Sequence, residues 1–257
     1  MRILLTGATG GIGSALAKAF AAQGHALLLQ GRNQTGLDAL AAAIKGTECI
    51  TISADITQAE GRERLCKAAS DFAVDTLCNN AGINQFAAFE HSDIAMMINT
   101  NVTATMLLTQ SLLPTLLQQQ TARVVVIGSA FGAIGFPGYT AYCASKFALR
   151  GFAESLAREY EPSRLKVHYF APRATSTSMN DDRVTQMNKE MGTATDTPEQ
   201  VAQQIVSALN KNRARLQIGA IQRIQTKLNA LLPGVVDGAL RGKLPIIRKY
   251  LSELHHA

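Results

Sequence analysis

This chain of 257 residues has few features of a secreted, metal-binding or membrane-spanning protein. Its four cysteines and five histidines lack the spacing of a disulfide framework or a metal site. No run of about 18 apolar residues occurs, so no membrane-spanning helix is predicted. The segment Arg2–Leu5 is too short for the h-region of a signal peptide. We therefore expect free thiols, no metal and a cytoplasmic location.

Aromatic residues make up only 5% of the chain, and its excess of basic charge is confined to one end. Residues 211–257 contain nine Lys or Arg and two Asp or Glu, a net charge of +7, whereas the whole chain has +6. The first 210 residues therefore carry a net charge of −1. Because no aromatic stacking platform accompanies the basic end, we expect no nucleic-acid binding.

The remainder of the chain alternates apolar runs with helical patterns. With 47% hydrophobic and 17% charged residues, it is ordinary for a soluble globular protein. Repeated alternation of strand and helix predicts an α/β fold with a doubly wound parallel sheet, Rossmann-like, in a single domain over residues 1–218. The predicted strands are residues 2–6, 26–30, 49–53, 75–78, 124–127, 165–170 and 216–218.

A glycine-rich turn joins the first predicted strand to a helix. Its glycines fit two spacings, Gly7/Gly11/Gly13 and Gly7/Gly10/Gly13, and the turn alone does not choose between them. A strand, a glycine turn and a helix are the context of a dinucleotide site, because backbone can approach a pyrophosphate and the helix N-terminus favours its charge. A tight turn without a ligand is the alternative.

The ends of the second and third strands carry candidate cofactor contacts. The second ends at Gly31-Arg32-Asn33, where an NAD site would usually have an acid, and Arg32 can instead contact a 2′-phosphate. This favours NADP(H) over NAD, with an exposed loop arginine as the alternative. Asp55, after the third strand, is expected either to contact adenine or to cap the next helix.

Two asparagine-containing segments follow. Residues 79–82, Asn-Asn-Ala-Gly, end the fourth strand and suit a backbone that passes close to a cofactor, although an ordinary turn is the alternative. Asn101 falls inside the helical pattern of residues 92–119, where asparagine is unfavourable. We expect Asn101 to kink the helix or bind water, or to be a solvated surface residue.

Three reactive side chains converge after the fifth strand. Ser129 ends that strand, and Tyr142 and Lys146 lie at positions i and i+4 of a helical pattern, on one face. An ammonium group lowers the pKa of a neighbouring phenol, so Tyr142 is the candidate general acid/base and Ser129 the group that holds the substrate oxygen. A tyrosine and a lysine on a half-exposed helix are the alternative.

Taken in order, TGATGGIG at residues 6–13, NNAG at 79–82, Asn101, Ser129 and YCASK at 142–146 resemble the classical short-chain dehydrogenase/reductase family over residues 2–210. The resemblance implies hydride transfer between a nicotinamide and a carbonyl or alcohol carbon, and a homodimer or tetramer. It implies a catalytic tetrad of Asn101, Ser129, Tyr142 and Lys146. The implied cofactor contacts are Gly7, Thr9, Gly11, Ile12, Gly13, Arg32, Asn33, Asp55, Asn80, Ala81, Gly82, Tyr142, Lys146, Pro172, Thr175 and Thr177.

The sequence departs from the family pattern at two positions. Arg173 follows Pro172 where the family usually has glycine, and Gly10 occupies one of the two basic positions associated with NADP. If position 173 required a positive φ, arginine would be strained there, so we expect the local backbone to differ.

The last part of the chain has two predicted segments. Residues 173–198 are polar and contain three methionines, which predicts a mobile substrate lid or a plain surface excursion. Residues 219–257 predict three basic amphipathic segments, divided at Pro233-Gly234 and Pro245, the last containing Leu254. Such a tail can lie on an anionic membrane, pack on the domain or form a dimer contact. It can also roof the active site and admit a lipid-like chain.

The functional prediction is an NADP(H)-dependent oxidoreductase that reduces a hydrophobic ketone, aldehyde or acyl-chain substrate. The alternative is a non-catalytic nucleotide sensor or scaffold with the same fold. Since all four tetrad positions are intact, the enzyme is favoured.

Overall fold

Seven parallel strands form one sheet in a computed structural model that describes residues 1–252. Their order is β3-β2-β1-β4-β5-β6-β7, which reverses between β1 and β4 and opens a crevice at the carboxyl ends of these strands. The predicted doubly wound parallel sheet is confirmed. The strands are β1 (Arg2–Leu5), β2 (Ala26–Gly31), β3 (Cys49–Ser53), β4 (Thr76–Asn79), β5 (Ala122–Ile127), β6 (Leu165–Ala171) and β7 (Arg215–Gln217).

Helices cover both faces of this sheet. Because successive strand side chains point to opposite faces, Leu5 joins one buried cluster with the helices before β2 and β7, whereas Leu4 joins another with those before β4, β5 and β6. The helices are α1 (Gly11–Ala21), α2 (Gln34–Ala43), α3 (Ala59–Asp71), α4 (Ile94–Ile98), α5 (Ala104–Leu117), α6 (Thr140–Glu159), α7 (Asp182–Glu190), α8 (Pro198–Asn210), α9 (Ala220–Leu231) and α10 (Pro233–Ser252).

The helix predicted over residues 92–119 is interrupted at Asn101. A π-helical turn, Asn99–Thr103, separates α4 from α5, and the Ala104 N–H donates to Asn99 O in an i to i−5 bond. The predicted local distortion is therefore present. Asn101 is fully buried, so its interpretation as a surface residue is wrong.

The tail forms two helices in place of three segments. Pro245 lies inside α10, so the predicted break there is wrong, and Leu254 lies outside the described residues. A proline inside a helix costs about 3 kcal/mol, which the burial of Ile247 and Tyr250 offsets. Both side chains pack in one cluster with Met187 of α7, within the predicted lid. The division at residue 218 stays a prediction.

Candidate active site

The turn after β1 has a shape that only glycine allows at two positions. Gly7 has φ of +63°, and a Cβ there would lie 2.8 Å from the Cα of Ala81. A Cβ at Gly13 would lie 2.1 Å from Gly7 O. The helix α1 begins at Gly11 without a side-chain cap. Its first backbone N–H groups are therefore available to hydrogen-bond a ligand in the crevice. This cradle fits the pyrophosphate of a dinucleotide.

Two polar residues that the sequence analysis missed hold this turn in place. Gln30 Oε1 accepts a hydrogen bond from the Gly7 N–H at 3.0 Å. Thr6 Oγ1 accepts from the backbone N–H groups of Asn80 and Ala81, each at 3.0 Å. The available signal was a polar residue at the end of an otherwise apolar strand, since both are buried.

The crevice between β1 and β4 contains a cleft of about 450 Å³. It extends from the glycine turn past the end of β2 to the Tyr142 side of α6. Most of the predicted cofactor-binding residues thus line one continuous cavity. The predicted residues that line it are Gly7, Thr9, Gly11, Ile12, Gly13, Arg32, Asp55, Asn80, Ala81, Gly82, Tyr142, Lys146 and Thr177.

Three predicted cofactor contacts lie outside this lining because the fold uses them elsewhere. Asn33 caps α2, its Oδ1 accepting from the Gly36 N–H at 3.1 Å. Thr175 is buried and donates its hydroxyl to Arg173 O at 2.9 Å. The Pro172 carbonyl accepts from the Ala130 N–H at 2.8 Å.

Asp55 serves as a turn cap as well as a wall of the cleft. Its Oδ1 accepts from the Thr57 N–H at 2.9 Å, and this bond lowers the pKa of the Asp55 carboxyl. Arg32 acts in the same direction through its charge. The N-cap residue of α3 is Gln58, so the prediction that Asp55 caps this helix is wrong, and its contact with adenine stays a prediction.

Ser129, Tyr142 and Lys146 lie together at the carboxyl end of β5. Lys146 Nζ is 5.6 Å from the centroid of the Tyr142 ring and donates to Ile127 O at 3.2 Å. The Ser129 side chain interacts with the Tyr142 phenol, and its Oγ also accepts from the Phe131 N–H at 3.1 Å. The predicted convergence of hydroxyl, phenol and ammonium is present.

Asn101 connects three elements around these groups. Its Oδ1 accepts from the Ile83 N–H at 2.8 Å, and its Nδ2 donates to Ile83 O and to Ser145 Oγ, both at 3.0 Å. Ser145 in turn donates to the Tyr142 carbonyl at 2.7 Å. The amide of Asn101 therefore positions α6 and the segment after β4.

Burial controls the proton affinities at this site. It raises the pKa of Tyr142 to about 12, while the interaction with Ser129 acts to lower it. Burial also lowers the pKa of Lys146 to about 8. The net shift of the Tyr142 pKa is therefore upward, opposite to the expected lowering, because desolvation is the larger effect. At neutral pH Tyr142 keeps its proton.

Arg173 replaces the family's usual glycine without backbone strain. Among residues 1–252, only Ala73 and Asn212 have a positive φ without being glycine. Arg173 forms a bidentate ion pair with the buried Asp196, its Nε lying 2.8 Å from Oδ2. This pair joins the two ends of the segment that contains α7.

An aromatic wall formed by Phe131 and Tyr139 lies beside Tyr142. The ring centroids of Phe131 and Tyr139 lie 6.3 Å and 6.2 Å from that of Tyr142. Beside it is a second cavity of about 460 Å³, lined by polar and apolar side chains that include Phe86 and Arg183. The site thus combines a dinucleotide cleft with an adjoining chamber of mixed polar and apolar lining.

Residues 1–252, the part of the chain that the structure describes, contain no cluster of three or more His, Cys, Asp or Glu arranged to hold a metal ion. Within that range no helix is both long and apolar enough to cross a bilayer. All four cysteines are free thiols.

Fold and site together define an oxidoreductase built on a dinucleotide-binding sheet. The chain belongs to the short-chain dehydrogenase/reductase family, since residues 1–188 match the family described as short chain dehydrogenase.

Individual relatives cover most of the chain. It is 30% identical over 253 residues to dehydrogenase/reductase SDR family member 7B of Xenopus tropicalis, an alignment that covers 91% of this chain and 82% of that protein. It is 32% identical to the ketoacyl reductase HetN of Nostoc sp. strain PCC 7120, covering 93% and 88%. A short-chain dehydrogenase from Sphingobium yanoikuyae in complex with NADPH superposes with a TM-score of 0.78 at 26% identity, covering 95% of each chain.

Proposed function

We propose that this protein binds NADP(H) and reduces the carbonyl group of a hydrophobic ketone, aldehyde or acyl-chain compound. The observation that carries the proposal is a protonated, half-buried Tyr142 that lies beside Lys146, lines the dinucleotide cleft and borders the aromatic wall. A phenol that holds its proton at neutral pH is the form that a carbonyl reduction requires of its general acid. The nicotinamide, when bound, supplies the hydride.

Each side chain has a distinct role in this proposal. Tyr142 donates the proton to the substrate oxygen, and the Ser129 hydroxyl hydrogen-bonds that oxygen. Lys146 hydrogen-bonds the cofactor ribose and stabilises the phenolate that remains. Asn101 holds α6 through Ser145. A water relay at Asn101 would use its backbone, because its amide is occupied by Ile83 and Ser145.

The preference for NADP(H) is supported by Arg32. Arg32 is exposed and lines the cleft just after β2. The turn Gly31-Arg32-Asn33 contains no acidic residue. A guanidinium there can pair with a 2′-phosphate. The Sphingobium yanoikuyae neighbour was solved with NADPH, which is consistent with this assignment.

The enzymatic proposal is tested by turnover with NADPH and NADH in parallel, on carbonyl substrates of four and twelve carbons. We expect faster turnover with NADPH and with the longer chains. Tyr142→Phe should abolish turnover and keep NADPH binding by calorimetry, whereas Tyr160→Phe, at the C-terminal end of α6, should keep both. A wild-type protein that binds NADPH but reduces no substrate would favour the sensor.

We further propose a homodimer or tetramer formed through α5 and α6. Large apolar side chains are exposed on both helices, namely Met106, Leu107 and Leu117 on α5 and Phe147 on α6. Contiguous exposed apolar patches are typical of interaction sites, and these side chains are the candidates for such a patch. Sedimentation velocity should give a dimer or tetramer for the wild type and a smaller species for Phe147→Lys. A wild-type monomer would contradict this assembly.

The last part of this proposal is a peripheral contact between α9 and an anionic membrane, from the cytoplasmic side. No residue of α9 is buried, and Ile224 and Leu231 are 66% and 79% exposed. The basic residues Arg223 and Lys227 lie on the same helix, within a tail whose charge is +7. Apolar and basic groups together suit an anionic lipid surface, whereas two such tails facing each other in a dimer would repel.

Flotation with liposomes tests this contact. The wild type should float with vesicles containing phosphatidylserine at low salt and much less at high salt or with neutral vesicles. Ile224→Asp should abolish flotation. Ile50→Asp makes the same change at an exposed isoleucine of β3 and should float like the wild type. Equal flotation of both variants would contradict the role of α9.

A further inference from the structure

Asn84 lies at the junction of the two cavities and lines both of them. It follows directly after Ile83, whose backbone N–H and carbonyl are both fixed by Asn101. The backbone of Asn84 is therefore held in register with the Tyr142 side of the site. Ser178 and Met179 also line both cavities, so a ligand that spans the cleft and the chamber lies against these three residues.

The carbonyl oxygen of the Asn84 side chain has no partner in the described protein. Oδ1 is buried, and no donor among residues 1–252 hydrogen-bonds it. The amide also interacts with the Tyr139 hydroxyl, where it acts to lower the pKa of Tyr139 although burial dominates and raises it. One end of the amide is thus occupied by the wall of the chamber and the other is free to accept. A buried acceptor without a donor is unfavourable, which indicates that a ligand supplies one.

The surroundings restrict what that ligand can be. The chamber side is bordered by Phe86, Met179 and Val184 together with several polar side chains, so it accepts a ligand that has both apolar and polar groups. On the cleft side, the same cavity reaches Tyr142, where the carbonyl would react. The donor must therefore sit close to the carbonyl group of the ligand.

We propose that Asn84 is a specificity-determining residue that accepts a hydrogen bond from the substrate. The preferred substrate is then a hydrophobic carbonyl compound with a hydroxyl or amide N–H within a few bonds of the reacting carbon. This inference rests on the proposed reductase function and names the substrate class of that site.

The experiment compares 2-hydroxyacetophenone with 2-methoxyacetophenone, which keeps the electron-withdrawing oxygen but cannot donate. We expect wild type to have the higher kcat/KM for the hydroxy ketone. Asn84→Leu and Asn84→Ala should lower the hydroxy-to-methoxy ratio roughly tenfold, because the donor then meets no acceptor. Asn84→Asp keeps an acceptor and should keep the ratio. Gln204→Leu, an amide replacement on the exposed side of α8, should leave it unchanged.

The outcomes separate this inference from the reductase proposal. A ratio that is the same in wild type and Asn84→Leu, with turnover present, overturns the role of Asn84 and leaves the reductase intact. If no ketone is reduced, the affinities of both ketones for the protein with NADP⁺, measured by calorimetry, decide. Tighter binding of the hydroxy ketone that is lost in Asn84→Leu supports the inference, and equal binding of the two ketones overturns it.

Discussion

At the scale of single residues, Arg32 is expected to decide between NADPH and NADH. Its guanidinium lines the cleft after β2 and is exposed, so it can meet a 2′-phosphate that NADH lacks. A charge-assisted contact of about 1.5–3 kcal/mol corresponds to roughly ten- to hundredfold in affinity. Arg32→Gln should raise the KM for NADPH by that factor and leave the KM for NADH unchanged.

Steady-state kinetics with both cofactors measures this effect, and Arg64→Gln is the matched control. Arg64 donates to Ser53 O and lies outside the lining of the cleft. It should leave both KM values near those of the wild type. A parallel rise in the KM values of NADPH and NADH in Arg32→Gln would contradict 2′-phosphate recognition.

Lys146 links the site to the pH dependence of stability. Its pKa is lowered by burial from 10.5 to about 8, a difference of about 3 kcal/mol between its two protonation states. Below pH 8 both the folded and unfolded chains carry the proton, and the folded chain is destabilised in full. Between pH 8 and 10.5 only the unfolded chain keeps the proton, so this destabilisation is relieved as pH rises.

Lys146→Met should therefore stabilise the protein at pH 7 by about 1–3 kcal/mol, less the lost bond to Ile127 O, while abolishing turnover. The advantage over the wild type should shrink between pH 8 and 10.5. Urea unfolding at pH 7, 8 and 10 measures it. If the advantage of Lys146→Met stays constant over these pH values, burial of the Lys146 ammonium does not destabilise the folded protein.

The residue types of the site could be predicted from sequence, but their environments could not. Helical spacing was enough to bring Tyr142 and Lys146 together, and the end of the fifth strand was enough to place Ser129 beside them. The pKa of Tyr142 depends on burial, which spacing does not contain. The pairing of Arg173 with Asp196 spans 23 positions and likewise required the fold.

At the scale of elements, the glycine turn determines whether the cleft can hold a dinucleotide. A Cβ at Gly13 would lie 2.1 Å from Gly7 O, so Gly13→Ala must push the turn and α1 apart. We expect a loss of at least about 1–3 kcal/mol in unfolding free energy, together with loss of NADPH binding.

Gly151→Ala is the control for this change, because nothing lies within 4 Å of a Cβ at that position of α6. It should raise stability by about 0.4–1 kcal/mol and keep NADPH binding. Thermal unfolding and calorimetry give the two quantities. Normal NADPH affinity in Gly13→Ala would remove the turn from the cofactor site.

The observed helices differ from the predicted ones where tertiary contacts outweigh local conformational preference. Asn101 marked a distortion correctly, but its burial follows from bonds to Ile83 and Ser145 on other elements. Pro245 predicted a break, yet α10 continues because Ile247 and Tyr250 pack below it. Local sequence signals such as these report propensity and not the partners that outweigh it.

At the scale of the whole molecule, the position of the crevice could be predicted from the sequence. The position of the tail could not. The alternation of strands and helices leads to a doubly wound sheet, whose reversal point lies between β1 and β4. The amphipathic pattern of the tail allowed several partners. In the structure the two tail helices differ: α10 packs on α7, whereas α9 has no buried residue.

This packing predicts that the tail stabilises the wall of the substrate chamber. Ile247 of α10 is fully buried in one cluster with Val184 and Met187 of α7. Ile247→Ala should cost about 2–5 kcal/mol locally, as other buried isoleucine truncations do. The backbone amides of α7 should then exchange with solvent at least roughly tenfold faster, and the KM for twelve-carbon substrates should rise more than that for four-carbon ones.

Hydrogen exchange followed by mass spectrometry measures the first effect, with Ile224→Ala as the matched control. Ile224 is 66% exposed on α9, so the same truncation there should change stability by no more than about 0.5 kcal/mol and leave α7 protected. If α7 exchanges at the wild-type rate in Ile247→Ala, then α10 packs on α7 without stabilising it. A preference for long chains, if measured, would in that case have to arise from the aromatic wall at Phe131 and Tyr139.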